Sequence, residues 1–117
     1  MTKVKTITIE DIKRAVVEEC SKYNVAKAAL IGSRAEGTNA PDSDIDLIME
    51  FDGLCSLVDV IDMRDALQKV FGVRVDITHG VVRQKKFFDI GTMIIIYDMN
   101  DKDIMLTVTK DDEEEYQ

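Results

Sequence analysis

Apolar residues near the start of the chain recur at helical spacing: Ile12, Val16, Val17 and Cys20 fall one to four residues apart, on one side of a helix. Thr8 precedes them as a candidate cap, and Glu10 and Asp11 place negative charge in the first turn. The pattern predicts a helix from Thr8 to near Tyr23 and Asn24. The next run, Val25 to Ile31, is short, mostly apolar and stopped by Gly32, which suits a buried strand better than a second helix. Turn-forming residues from Gly37 to Ser43 follow. Asp44 to Phe51 then alternate at first and become almost wholly apolar, predicting a second strand with carboxylates at its start.

Between Ser56 and Phe71 the apolar positions Leu57, Val60, Ile61, Leu67, Val70 and Phe71 predict a long helix, with Gly72 as its stop. Val73 to Thr78 is β-branched and alternating, and Met93 to Tyr97 is apolar, so both read as strands. Val81 to Ile90 is expected to hold a short helix. Ile104 to Val108 is expected to add an edge strand, a helix docked on the sheet being the alternative. Neither a repeat nor a low-complexity linker interrupts this order. The expectation is a single domain over residues 1–110 with an acidic, flexible tail at 111–117, of α/β (α+β) class: a small mixed β-sheet flanked by helices.

Composition narrows the function classes. A chain of 117 residues has room for one hydrophobic core, and 45% hydrophobic with 32% charged residues is the balance of a globular protein. The net charge of -8 repels a phosphate backbone, and no run rich in Lys or Arg offsets it, which argues against polynucleotide binding. Cys20 and Cys55 lie far apart and outside Cys-x-x-Cys spacing, as expected of free thiols in a reducing cytoplasm. Met1 to Glu10 has no signal-peptide pattern, and no apolar stretch is long enough to span a membrane.

The chemistry concentrates in a few carboxylates. Asp44 and Asp46 stand two apart on a predicted strand, so their side chains share a face roughly 6–7 Å apart along the chain. Asp76 sits between Val75 and Ile77 in another strand, where a carboxylate is costly unless a cation or donor compensates it. Three hard oxygen donors suit Mg²⁺, whereas zinc is disfavoured because His79 is the sole histidine. Two such ions, at the roughly 3.5–4 Å separation of two-metal sites, would stabilise the attacking oxygen and the leaving pyrophosphate of an in-line displacement. Gly32 allows close approach of a phosphate, and Ser33 offers a hydroxyl and an N–H. Taken singly, an Asp-x-Asp or a Gly-Ser is an ordinary strand start or turn. Their order and spacing together carry the signal. His79, next to Gly80, reads as a surface or capping residue, and Arg83, Lys85 and Lys86 read first as a solvated basic face.

The string from Leu30 through Gly32, Ser33, Arg34 and Gly37 to Thr38, followed by Pro41 to Leu47 with Asp44 and Asp46, resembles the signature of the minimal nucleotidyltransferase family in the DNA polymerase beta-like superfamily. Val75, Asp76 and Ile77 resemble that family's third-carboxylate strand. The resemblance implies a nucleotidyltransferase-like fold, with Gly32 and Ser33, joined by Arg34, as the triphosphate-binding turn. It implies Asp44, Asp46 and Asp76 as metal ligands, Asp76 also helping to activate the attacking hydroxyl. Many relatives carry a basic residue where this chain has Glu36, which puts nucleotide affinity in question. The implied activity is transfer of AMP from ATP to a hydroxyl, the implied acceptor being a tyrosine of a HEPN-type toxin, with the chain acting as antitoxin in a homo- or hetero-oligomer. The alternatives are a contact inhibitor that performs no transfer, or modification of a small molecule. A templated polymerase fits an acidic chain of this size least well.

Overall fold

The computed structural model describes residues 6–82 and 92–100. The strand expected at 104–108, most of the helix expected at 81–90, the basic cluster of Arg83, Lys85 and Lys86, and the acidic tail lie outside the described residues. Helix α1 (Ile9–Cys20) starts where the sequence places it. The Thr8 hydroxyl accepts from the Asp11 N–H at 3.0 Å while the Asp11 carboxylate accepts from the Thr8 N–H at 3.0 Å. This reciprocal pair satisfies two donors at the helix start. The helix ends at Cys20, earlier than its apolar pattern suggested. Ser21 to Asn24 form the turn, closed by the Val25 N–H on the Tyr23 carbonyl, that releases Val25 into β1 (Val25–Ile31).

The chain continues through a one-turn helix α2 (Ser33–Glu36), β2 (Ile45–Phe51), α3 (Leu57–Phe71), β3 (Val75–His79) and β4 (Ile94–Asp98). These strands form one sheet in the order β3-β2-β1-β4, with β1 antiparallel to both neighbours and β2 parallel to β3. Parallel neighbours require a crossover, which α3 supplies. The Ser56 hydroxyl caps its start by accepting from the Asp59 N–H, and Gly72, at φ 75°, ends it in the left-handed conformation that glycine adopts without Cβ strain. The result is the small mixed sheet with helices that the sequence predicts.

Alternation along the strands gives the sheet two different faces. Ala28, Leu30, Ile45, Leu47, Met49, Val75 and Ile96 form one core with Ile12, Val16 and Cys20 of α1 and Met63 and Leu67 of α3. The opposite face carries a smaller cluster of Ala29, Ile48 and Val82, with Ile31, Met93 and Ile95 packed beside it. Asp46 and Asp76 alternate with core residues in β2 and β3, so they belong to this second face, which α1 and α3 leave uncovered. Among the described residues, no helix is long and apolar enough to cross a membrane.

The buried side of α3 differs from the sequence expectation. Met63 and Leu67 are its buried residues, whereas Leu57, Ile61 and Val70 are exposed at 72%, 37% and 64%. Apolar spacing establishes that a helix forms. Its roll is set by which residues meet the sheet, and Met63 and Leu67 are the ones buried there. Leu67→Ala is expected to cost about 2–5 kcal/mol in urea unfolding by opening a core cavity, and Leu57→Ala to stay within about 0.5 kcal/mol. Equal losses would show that the helix is rolled differently.

Candidate active site

β2 and β3 pair in parallel with Asp46 opposite Asp76, one residue pair after Ile45 opposite Val75. Asp44 lies just before β2. Its position is constrained from the other strand, because the Ile45 N–H donates to the Arg74 carbonyl at 2.9 Å. One carboxylate oxygen from each of Asp44, Asp46 and Asp76 lies within 4.8 Å of the others. The three carboxylates that the sequence singled out are thus brought together.

Such a cluster opposes itself electrostatically. The Asp46 carboxyl is pushed above the ordinary carboxylate value by burial first, and then by the charges of Asp76 and Asp44, with Arg74 pulling the other way. Arg74 lies beside the cluster, its Nε 3.9 Å from an Asp76 oxygen, but both side chains are at least half exposed, so this ion pair is weak. Sequence reasoning passed over Arg74. The signal was available, since a residue two before Asp76 on a strand shares its face.

Gly32 packs directly against this cluster. Its φ of 80° lies where L side chains are strained, and a Cβ there would fall 2.6 Å from Asp46 Oδ2. Both the backbone conformation and the close approach therefore require glycine. Ile31, the residue before it, pairs with Asp46 across the β1–β2 ladder, which places the Gly32-Ser33 turn beside the carboxylates. Ser33 opens α2 and is half-buried.

Arg34, expected with Gly32 and Ser33 at the triphosphate, is held through its Nε and Nη2 by backbone of the chain itself. Its side chain is buried at 4% exposure and turns onto the loop before β2. Nη2 donates to the carbonyls of Pro41 at 2.9 Å and Ser43 at 2.8 Å, and Nε donates to Ser43 at 3.1 Å. The Nε and Nη2 donors are thus committed to backbone carbonyls of the loop. The surrounding chain could not reveal this, because the partners are carbonyls rather than side chains. His79 lies at the opposite end of β2 and β3, its ring 5.1 Å from Phe51 in an edge-to-face contact. It borders a recess of about 470 Å³ with Phe51, Cys55, Leu57, Val60 and Ile77. That recess contains none of the three clustered carboxylates.

Because the Asp46 carboxyl is raised in the folded chain, the stability it contributes is full below the unfolded value, near 3.8, and is lost as pH rises through the folded value. In EDTA, wild type is therefore expected to lose more melting temperature than Asp46→Asn as pH rises from the acid side of that window to neutrality. At pH 7 the variant is expected to melt at a higher temperature than wild type. Parallel pH profiles for the two proteins would contradict the like-charge cluster.

Comparison with known proteins bears on the family and the fold. The family model of the nucleotidyltransferase domain matches residues 9–106. A Methanocaldococcus jannaschii protein named "Putative protein adenylyltransferase" is 34% identical over 71 residues, covering 61% of this chain and 76% of its own. A solved structure described as a "putative minimal nucleotidyltransferase" is 34% identical, with a TM-score of 0.52 over 58% of this chain and 69% of its own. A solved complex of a tri-AMPylated Shewanella oneidensis HEPN toxin with MNT antitoxin shares the fold, with a TM-score of 0.54 and 10% identity over 92% of this chain and 88% of the matched one. The chain belongs to the nucleotidyltransferase domain family, in its minimal nucleotidyltransferase branch.

Proposed function

We propose that this chain transfers AMP from ATP to a hydroxyl on a protein, that the acceptor is a tyrosine of a HEPN-type toxin, and that the transfer makes the chain an antitoxin. The observation that carries the chemistry is the convergence of Asp44, Asp46 and Asp76 beside a glycine turn. The relative named as a protein adenylyltransferase supports the group transferred and the class of acceptor. The fold shared with a complex containing an AMPylated HEPN toxin supports the partner.

The residues fit a divalent cation. They offer oxygen donors only, and one of them, Asp46, is raised above the ordinary carboxylate value by burial first and then by its two acidic neighbours, which a bound cation would offset. Asp44, Asp46 and Asp76 would hold two Mg²⁺ ions, which when bound neutralise the triphosphate and lower the barrier to displacement at its α-phosphorus. Gly32 lets the backbone come close to the phosphates, and Ser33 binds them through its hydroxyl and N–H. Asp76 orients the acceptor hydroxyl and takes its proton as the new oxygen–phosphorus bond forms. The α–β phosphoanhydride bond breaks and pyrophosphate leaves. Catalysis on this reading is positioning and charge compensation, with no covalent intermediate on the chain.

The test is transfer of label from α-labelled ATP, with Mg²⁺, to a co-expressed HEPN-type partner. Asp44→Asn/Asp46→Asn is expected to lose at least about 10²-fold in rate, the scale of removing electrostatic stabilisation of a transition state. Absence of label with wild type, while the partner still binds, would replace transfer by inhibition through contact. Proton competition at Asp46 gives a second expectation. The Mg²⁺ concentration needed for half-maximal rate should rise as pH falls, beginning at a higher pH than an unperturbed carboxylate would produce. A requirement for Mg²⁺ that begins to rise only where an unperturbed carboxylate would make it rise would count against Asp46 as a ligand.

A further inference from the structure

Of the clustered carboxylates, Asp46 and Asp76 stand within strands β2 and β3, where ladder bonds hold the backbone. Asp44 stands outside the ladder, at the end of the loop that links α2 to β2. A loop residue lacks the register that fixes its two partners, and a metal ligand displaced by about an ångström loses much of its value.

The Arg34 side chain meets this need. The Ser43 carbonyl, which accepts from both Nη2 and Nε, belongs to the peptide group that joins Ser43 to Asp44. The second acceptor, Pro41, lies two residues earlier, so the planar guanidinium ties both limbs of the turn together. The turn also closes on itself, because the Ala40 N–H donates to the Ser43 hydroxyl at 2.8 Å and the Ser43 N–H to the Ala40 carbonyl at 3.1 Å. On its far side Asp44 is followed by Ile45, whose N–H is bonded to the Arg74 carbonyl. The peptide groups on both sides of Asp44 are therefore held, one by a buried side chain and one by the neighbouring strand. Among the described residues no carboxylate lies within ion-pair distance of Arg34, and its partners through Nε and Nη2 are all loop carbonyls.

We infer that Arg34 is a positioning residue: it presents the Asp44 carboxylate to the Asp46–Asp76 pair by clamping the peptide that precedes it. The inference rests on the metal-binding reading of the three carboxylates given above. It distinguishes Arg34 from Gly32 and Ser33, since the arginine acts through Asp44 and not on the nucleotide.

The test uses Mn²⁺ as a spectroscopic probe, with free ion measured by electron paramagnetic resonance against the full chain and melting followed in EDTA. Arg34→Met is expected to weaken Mn²⁺ binding about tenfold, the lower end of what loss of a residue supporting a metal ligand causes. Arg34→Lys, which can reach one carbonyl with a point charge, should fall between the two. The deciding measurement is the cycle with Asp44→Asn, because a clamp that works through Asp44 has nothing left to lose once the carboxylate is gone. Arg34→Met added to Asp44→Asn should then leave Mn²⁺ affinity within about twofold, whereas a general loosening of the fold would weaken it again by the full factor. If Arg34→Met does not fold, Arg34→Lys carries the same cycle. Wild-type affinity in either Arg34 variant overturns the clamp, as does a loss that repeats undiminished in the Asp44→Asn background. A wild-type chain that binds no Mn²⁺ overturns the metal-site reading, and the clamp with it.

Discussion

The parallel pairing of β2 with β3 places Asp46 directly opposite Asp76, and the chemistry of the chain depends on that register. A slip of one residue would carry Asp76 to the helix-covered face, into the space of Val75 and Ile77, because side chains alternate across a strand. The register is held by burial on the other face. Ile45, Leu47 and Met49 interleave with Val75, Met63 and Leu67 in one core, so any shift that separates the carboxylates also exposes apolar surface. Apolar packing on one side of the sheet thus stabilises like-charge proximity on the other.

This two-sidedness shapes the rest of the molecule. α1 and α3 cover one face, and α3 also makes the crossover that allows β2 and β3 to run parallel. The face they leave carries the acidic cluster next to a small apolar patch around Ile48 and Val82. The Glu50 carboxylate accepts from the Val82 N–H at 3.1 Å and the Gly80 N–H donates to the Met49 carbonyl, so the exit from β3 is folded back along β2. The carboxylates therefore stand at the start of strands whose other ends are also secured.

The segment from Gly32 to Ser43 is organised around the same cluster. Gly32 supplies a positive φ and the absence of a Cβ, which lets the β1–α2 turn lie against the Asp46 carboxylate. Two residues later Arg34 turns inward and holds the loop that delivers Asp44. Neighbouring positions of one short motif thus do separate work, one through backbone shape and one through a buried guanidinium. Glu36 is exposed at the end of α2.

The order of the two long helices and four described strands from α1 to β4 was legible in the sequence because each carries its own period, cap or stop: the Thr8 box, the Gly32 and Gly72 terminations, the apolar run of β1; the one-turn α2 was not. The acidic triad was legible as well, since Asp44, Asp46 and Asp76 stand in a pattern that strand alternation and family resemblance both read. The roll of α3 was not, because Leu57 and Ile61 are as apolar as Met63 and only contact with the sheet distinguishes them. Nor was the part played by Arg34. Its partners are the carbonyls of Pro41 and Ser43, which every residue possesses and no sequence pattern marks. By itself the sequence determined which segments form helices and strands and which side chains can bear the chemistry, since those follow from local period and residue type. Strand register, helix roll and the destination of a buried guanidinium were decided only by the tertiary structure, because each depends on groups far apart in the chain meeting across the sheet.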